Sequence, residues 1–231
     1  MKEKIIVALD VSTREKALKL VRDLHAVVGM FKVGNQLFTA CGPQIVREIV
    51  SGGGKVFLDL KFHDIPNTVT HAVMEAANLG VSMMTVHATG GRAMMQSVAK
   101  DLYEKFPTNR PLVVAVTVLT SFDTRALFEI GLERPVEQQV QNLALFAQEC
   151  GMDGVVCSPQ EIRMLRNLVR PNFKIVTPGI RMPDQSANDQ QRIATPMSAI
   201  AAGADYIVVG RAITDDPDPR GAAERLASSQ V

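Results

Sequence analysis

Three charges fall within six residues where an apolar run ends: Asp59, Lys61 and Asp64, in the segment Val56-Phe57-Leu58-Asp59-Leu60-Lys61-Phe62-His63-Asp64-Ile65-Pro66-Asn67-Thr68. The run reads as a strand, and strand side chains alternate between faces. Phe57, Asp59 and Lys61 therefore share one face, while Val56, Leu58 and Leu60 share the other. A carboxylate and an ammonium side by side at the end of a buried strand can stabilise charge developing on a substrate and can deliver a proton. Burying charge without a partner is costly, so chance placement is a poor account of the pair. A structural ion pair closing the end of a sheet is the plain alternative, because coupled charges mark both kinds of place.

The rest of the chain repeats one unit, a short β-branched run followed by a polar turn and an amphipathic stretch. Strands are expected near 4–10, 29–34, 54–61, 82–87, 111–118, 153–157, 173–178 and 205–210. Each is almost continuously apolar, as parallel strands covered on both faces are. Helices are expected near 13–28, 43–51, 67–79, 91–105, 135–150, 159–169, 195–202 and 219–228. Ser12 with Glu15, and Ser158-Pro159-Gln160-Glu161, have the form of capping boxes, and Thr195-Pro196 and Asp218-Pro219 pair a cap with a proline at the first helical position. In the first helix Ala17, Leu20, Val21, Leu24 and Val28 recur at helical spacing as a buried stripe.

Eight strand–helix units in 231 residues, about 29 each, fit an α/β chain of (β/α)8 TIM-barrel class. An open doubly wound sheet is the alternative. The barrel is preferred because polar groups end many of the strands, and a barrel gathers strand ends around one mouth. No composition break or long linker divides residues 1–231, so one domain is expected. Two longer loops stand out, 119–134 and 178–194, and the second, polar and rich in donors, is a candidate lid.

In that frame Asp10 ends the first strand, Lys32 the second, and Asp59 and Lys61 the third. Four charges of alternating sign around one mouth form a network in which each offsets its neighbour. Gly210 and Arg211 follow the eighth strand, where barrels often bind phosphate, and Arg presents a fork of donors matched to that anion. Of the histidines, His87 ends the fourth strand, His63 points away from Asp59 and Lys61 if the alternation continues, and His25 and His71 sit in helices. No HxH or HExxH spacing suggests a metal site.

Bulk properties narrow the classes. With 25 basic and 24 acidic residues the net charge is +1, which argues against nucleic-acid binding. No apolar stretch approaches the roughly 18 residues that span a bilayer. Cys41, Cys150 and Cys157 are odd in number and widely spaced, as expected of reduced thiols in a cytoplasmic protein.

The run from Asp59 to Thr68 resembles the signature of the bacterial type of the orotidine 5′-monophosphate decarboxylase family. Ala8-Leu9-Asp10, Phe31-Lys32-Val33-Gly34, Thr117-Val118-Leu119-Thr120-Ser121, Thr177-Pro178-Gly179-Ile180-Arg181 and Val209-Gly210-Arg211 resemble that family in the same order, so the likeness spans nearly the whole chain. Asp-x-Lys-x-x-Asp alone is shared with sugar-phosphate decarboxylases and synthases on related barrels; the continuation Ile65-Pro66-Asn67-Thr68 is more specific. The resemblance implies cofactor-free conversion of orotidine 5′-monophosphate to uridine 5′-monophosphate and CO2 in pyrimidine biosynthesis. It implies that Lys32, Asp59, Lys61 and Asp64 form the catalytic network, with Lys61 as proton donor and Asp64 supplied by the second subunit of a homodimer with shared sites. It further implies that Asp10 and Lys32 hold the ribose, with Thr68 reaching it across the interface, and that Thr120 and Ser121 address the pyrimidine. Arg181, Gln190, Gly210 and Arg211 would hold the phosphate; Gln185 and Gln191 are also available, and spacing favours Gln190. The alternatives are a metal-dependent decarboxylase of a keto sugar phosphate and a catalytically silent nucleotide-binding barrel.

Overall fold

The computed structural model describes residues 1–180 and 194–228. Its sheet is a closed barrel of eight parallel strands in sequence order, β1 (Ile5–Ala8), β2 (Met30–Gly34), β3 (Val56–Phe62), β4 (Met83–His87), β5 (Leu112–Val116), β6 (Gly154–Val156), β7 (Lys174–Thr177) and β8 (Tyr206–Val209). The ring closes where β1 pairs with β8, Ile5 opposite Ile207. All eight strands lie where the apolar runs predict them, and the barrel reading holds over the open sheet.

The runs are apolar throughout because each strand has two buried faces. Ile6, Ala8, Met30, Phe57, Met83, Val114, Val176 and Val208 fill the barrel interior. The alternate residues, among them Val7, Phe31, Leu58, Met84, Ile175 and Val209, pack outward into the larger core beneath the helices. That core is closed by α1 (Arg14–Leu24), α2 (Asn35–Cys41), α3 (Gln44–Ser51), α4 (Pro66–Asn78), α5 (Gly91–Lys105), α6 (Thr124–Glu129), α7 (Val136–Glu149), α8 (Ile162–Leu168), α9 (Pro196–Ala202), α10 (Arg211–Thr214) and α11 (Pro219–Ser228).

Three of these, α2, α6 and α10, were not anticipated, and α6 lies inside the stretch expected to be a loop. Asp123 starts it, its carboxylate accepting from the Ala126 N–H at 2.8 Å. The cap of α1 is also one residue later than expected. Thr13, in extended backbone, accepts from the Lys16 N–H at 3.4 Å, so the box on Ser12 does not form. The helix stops at Leu24 rather than 28, although Val28 still packs into the core beside Ala17, Val21 and Leu24. The caps at Thr195 and Asp218 form as expected, and at Ser158, which opens a 3-10 turn ahead of α8, the Glu161 carboxylate accepts from the Ser158 N–H at 2.8 Å.

Two carboxylates tie the barrel at the end opposite its mouth. Asp153, just before β6, accepts from the Val113 N–H of β5 at 2.8 Å and from both Nη atoms of Arg110. Asp205, just before β8, accepts from the Ile175 N–H of β7 at 2.9 Å and from Arg166. Each carboxylate stitches one strand to its predecessor and carries an arginine in compensation. Next to Asp153 stands Gly154, where a Cβ would overlap the Lys174 carbonyl oxygen on β7. Gly154→Ala should therefore force β6 and β7 apart and cost about 3 kcal/mol, the upper part of the usual range for overpacking. Urea unfolding should show a lower midpoint with an unchanged slope; an unchanged midpoint would mean that β7 yields freely.

Candidate active site

The carboxyl ends of the strands open on a cavity of about 470 Å³. Phe57, Val116, Val156 and Val208 line its apolar depth, and Asp10, Lys32, Asp59, Lys61, Thr120, Gly210 and Arg211 line its polar walls. Seven of the residues singled out from sequence are thus brought together by five different strand ends.

Four of the charges form one chain of ion pairs. The Lys32 Nζ lies 3.1 Å from Asp10 Oδ1 and 3.7 Å from Asp59 Oδ2. The Lys61 Nζ donates to Asp59 Oδ1 at 2.9 Å. The Lys32 and Asp59 side chains are each 13% exposed and Lys61 33%, whereas Asp10, at 58%, faces solvent. Asp59 is therefore held by two cations in a partly desolvated place, where attraction is stronger than in water. Gly34, opposite Asp59 in the β2–β3 register, keeps this space open: a Cβ there would come within 2.9 Å of the Lys32 ammonium.

The end of β3 is not a regular strand. Leu58 pairs with Met84 and the next pairing is Phe62 with Val86, so the register shifts between them. Within the shift Lys61 takes φ 54°, a left-handed conformation that costs a non-glycine residue about 1–2 kcal/mol. Its N–H donates to Thr85 Oγ1 on β4 at 2.8 Å, and that hydroxyl donates to Asp59 Oδ1 at 3.1 Å. Phe57, Asp59 and Lys61 nevertheless share the inner side, as alternation predicts, while Val56, Leu58 and Leu60 pack outward.

His63 stacks on His87 with ring centroids 5.2 Å apart, and neither lines the cavity. His87 Nδ1 lies 2.7 Å from Thr89 Oγ1. Burial, and then the nearby His63 and Lys61, hold the His87 imidazole below its ordinary range.

Asp64 and Thr68 are exposed and stand outside this chain's own cavity, Asp64 accepting from the Ile65 N–H at 2.6 Å. Between them Ile65 is 66% exposed, a large apolar side chain presented to the surroundings. Ser121 is exposed just beyond Thr120 and is not part of the lining. Arg181 and Gln190, with Gln185 and Gln191, lie outside the described residues. The ends of that segment meet at the rim, where Ile180 bridges Ala194 next to the lining residues Pro178 and Gly179. Among the described residues no cluster of three or more His, Cys, Asp or Glu could hold a metal ion.

Two residues of the site went unread in the sequence, Thr85 and Gln36, the second lining the cavity from the start of α2, and Gly34 was read only as part of a resembling segment. The signal for Thr85 was available. It is the polar residue between Met83 and His87, at the spacing that faces the barrel interior.

The sequence matches the family described as "Orotidine 5'-phosphate decarboxylase / HUMPS family" over residues 3–226. It is 53% identical to the orotidine 5'-phosphate decarboxylase of Syntrophotalea carbinolica across 100% of this chain and 96% of that one. The crystal structure of orotidine 5'-phosphate decarboxylase from Lactobacillus acidophilus is similar with a TM-score of 0.84 and 40% identity, covering 96% of each chain. The corresponding structure from Pyrococcus horikoshii OT3 gives a TM-score of 0.78 at 27% identity, covering 96% of this chain and 97% of that one.

The lowered His87 value has a definite sign in stability. The unfolded chain takes up this proton near pH 6.5, before the folded chain does. The contribution is fully present above that pH and is lost as pH falls through the folded-state value. Unfolding free energy should therefore drop between pH 7.5 and 5 less steeply in His87→Gln than in the unsubstituted protein; equal slopes in urea titrations would assign the acid loss elsewhere.

Proposed function

The chain belongs to the orotidine 5'-phosphate decarboxylase / HUMPS family, and we propose that its barrel mouth works as that family's decarboxylase through the linked charges Asp10, Lys32, Asp59 and Lys61. The reaction removes CO2 from orotidine 5'-phosphate to give uridine 5'-phosphate, a step of pyrimidine biosynthesis, which makes the protein a carboxy-lyase. The observation that carries the residue assignment is the single file of alternating charges at the strand ends.

The bond to the carboxylate breaks with its electron pair left on the pyrimidine carbon. The Lys61 ammonium stabilises that pair and then donates a proton to the same carbon. Being one-third exposed, Lys61 can regain its proton from water. Asp59 keeps Lys61 aimed and stands where the departing carboxylate would lie, so repulsion is relieved as CO2 leaves. Preorganised charge around the reacting carbon is the larger contribution expected of such a site. In this reading Asp10 and Lys32 hold the ribose, and Thr120, with Ser121 beyond it, the pyrimidine. Gly210 and Arg211 take the phosphate, together with Arg181 and Gln190 of the neighbouring segment. Phosphate binding remote from the ring can then contribute to the rate of the chemical step.

The working unit in this reading is a homodimer. Asp64 and Thr68 belong to the partner's cavity, and the exposure of Asp64, Ile65 and Thr68 beside the end of β3 supports it. A two-fold axis then gives two composite sites. A cytoplasmic location is part of this reading, in keeping with three cysteines, Cys41, Cys150 and Cys157, that form no disulfide; among the described residues no helix is long and apolar enough to cross a membrane.

Purified protein should consume orotidine 5'-phosphate, followed by ultraviolet absorbance, equally with and without a chelator. Chelator-sensitive turnover of a keto sugar phosphate instead would favour the metal-dependent alternative. Lys61→Ala should lower kcat by more than about 100-fold while nucleotide binding persists; turnover within about tenfold would remove Lys61 from the chemistry.

The shared site has its own test. Lys61→Ala and Asp64→Ala homodimers should each be nearly inactive. With random subunit exchange about half the dimers are mixed, and each mixed dimer has one site free of both changes. Roughly a quarter of the wild-type sites should reappear; verified exchange without recovery would rule out donation of Asp64 across the interface.

A further inference from the structure

We infer that Thr85 is a positioning residue for decarboxylation, holding Lys61 and Asp59 in register across the break in the β3–β4 ladder. The inference rests on the proposed role of that pair. Between the pairings Leu58–Met84 and Phe62–Val86, β3 advances four residues while β4 advances two. The surplus displaces the Lys61 N–H from the regular ladder, and a buried N–H without an acceptor is costly. Thr85, fully buried, supplies that acceptor at 2.8 Å.

The direction of the hydroxyl follows from its partners. A peptide N–H only donates, so Thr85 Oγ1 accepts from Lys61. An ionised carboxylate only accepts, so the hydroxyl proton points to Asp59 Oδ1, 3.1 Å away. That same oxygen receives the Lys61 ammonium at 2.9 Å. One hydroxyl thus fixes the backbone of the lysine and the carboxylate that aims its side chain. It also favours the left-handed turn at Lys61, a conformation other residues of the strand do not share. Threonine suits the place because its β-branched body fits a strand and its single polar atom is satisfied on both sides. Thr85 does not line the cavity, so its action is through Lys61 and Asp59 rather than on substrate.

The variants Thr85→Val and Thr85→Ser separate the hydroxyl from the shape, with circular dichroism and urea unfolding to verify folding. Thr85→Val should lower kcat about 10- to 100-fold with KM for orotidine 5'-phosphate changed less than threefold, the range expected of small misplacements near a reacting centre. Thr85→Ser should recover most of kcat. A Thr85→Val enzyme with wild-type kcat, or one in which Ser is as impaired as Val, overturns the assignment. A second readout needs no turnover. Hydrogen exchange at the Lys61 amide, followed by NMR, should be slow in wild type and Thr85→Ser and faster in Thr85→Val. Equal exchange in all three overturns the inference even if the wild-type protein proves inactive on orotidine 5'-phosphate, which would instead overturn the proposed function. If Thr85→Val does not fold, the same comparison is made with Thr85→Ala, and slow exchange there overturns the inference equally.

Discussion

The carboxylate of Asp59 sits between the ammonium groups of Lys32 and Lys61, and the mouth of the barrel is organised around that sharing. Without it, two cations would face each other in a recess that excludes most water. At an effective dielectric near 20, charges about 4 Å apart interact by roughly 4 kcal/mol, so the sign of each neighbour matters more than any single packing contact. The attraction exists because β2 and β3 pair side by side in parallel. Lys32 is carried by β2 and Asp59 by β3, whose pairing sets Gly34 opposite Asp59. A side chain at that glycine would press on the Lys32 ammonium itself. Backbone pairing, an absent side chain and three charges are thus parts of one arrangement.

The two ends of the barrel divide the work. At the closed end Asp153 and Asp205 accept strand N–H groups and are each compensated by an arginine, so charge there serves to hold strands together. At the mouth charge is left partly exposed, with Lys61 and Asp10 reaching toward the cavity. The same residue types therefore have different meanings according to the strand end they occupy, as expected of a barrel whose chemistry belongs to one face.

Much of this was legible in the chain. Strands covered on both faces must be apolar along their length, which made all eight visible, and Asp10, Lys32, Asp59 and Lys61 stood out as charges at their ends. The short helices α2, α6 and α10 were not visible because seven, six and four residues give too few turns for a periodic signal. The misplaced cap of α1 reflects two adjacent residues, Ser12 and Thr13, that are chemically equivalent candidates; the backbone decides between them. Thr85 and the turn at Lys61 were hidden for a deeper reason. Alternation assumes a regular strand, and the irregularity is defined only against β4, 24 residues away. Gln36 was missed because α2 was.

The left-handed backbone at Lys61 sets stability against activity at a single position. Glycine or asparagine would sit there with less strain, and either would discard the cation. Drift toward a more stable chain therefore leads away from a working one, and the lysine persists only while selection acts on turnover. A copy of this gene released from that demand would be expected to lose its chemistry here first, while its barrel stayed intact or became more robust. The identity of residue 61 is in that sense a record of whether the protein is still being used as an enzyme.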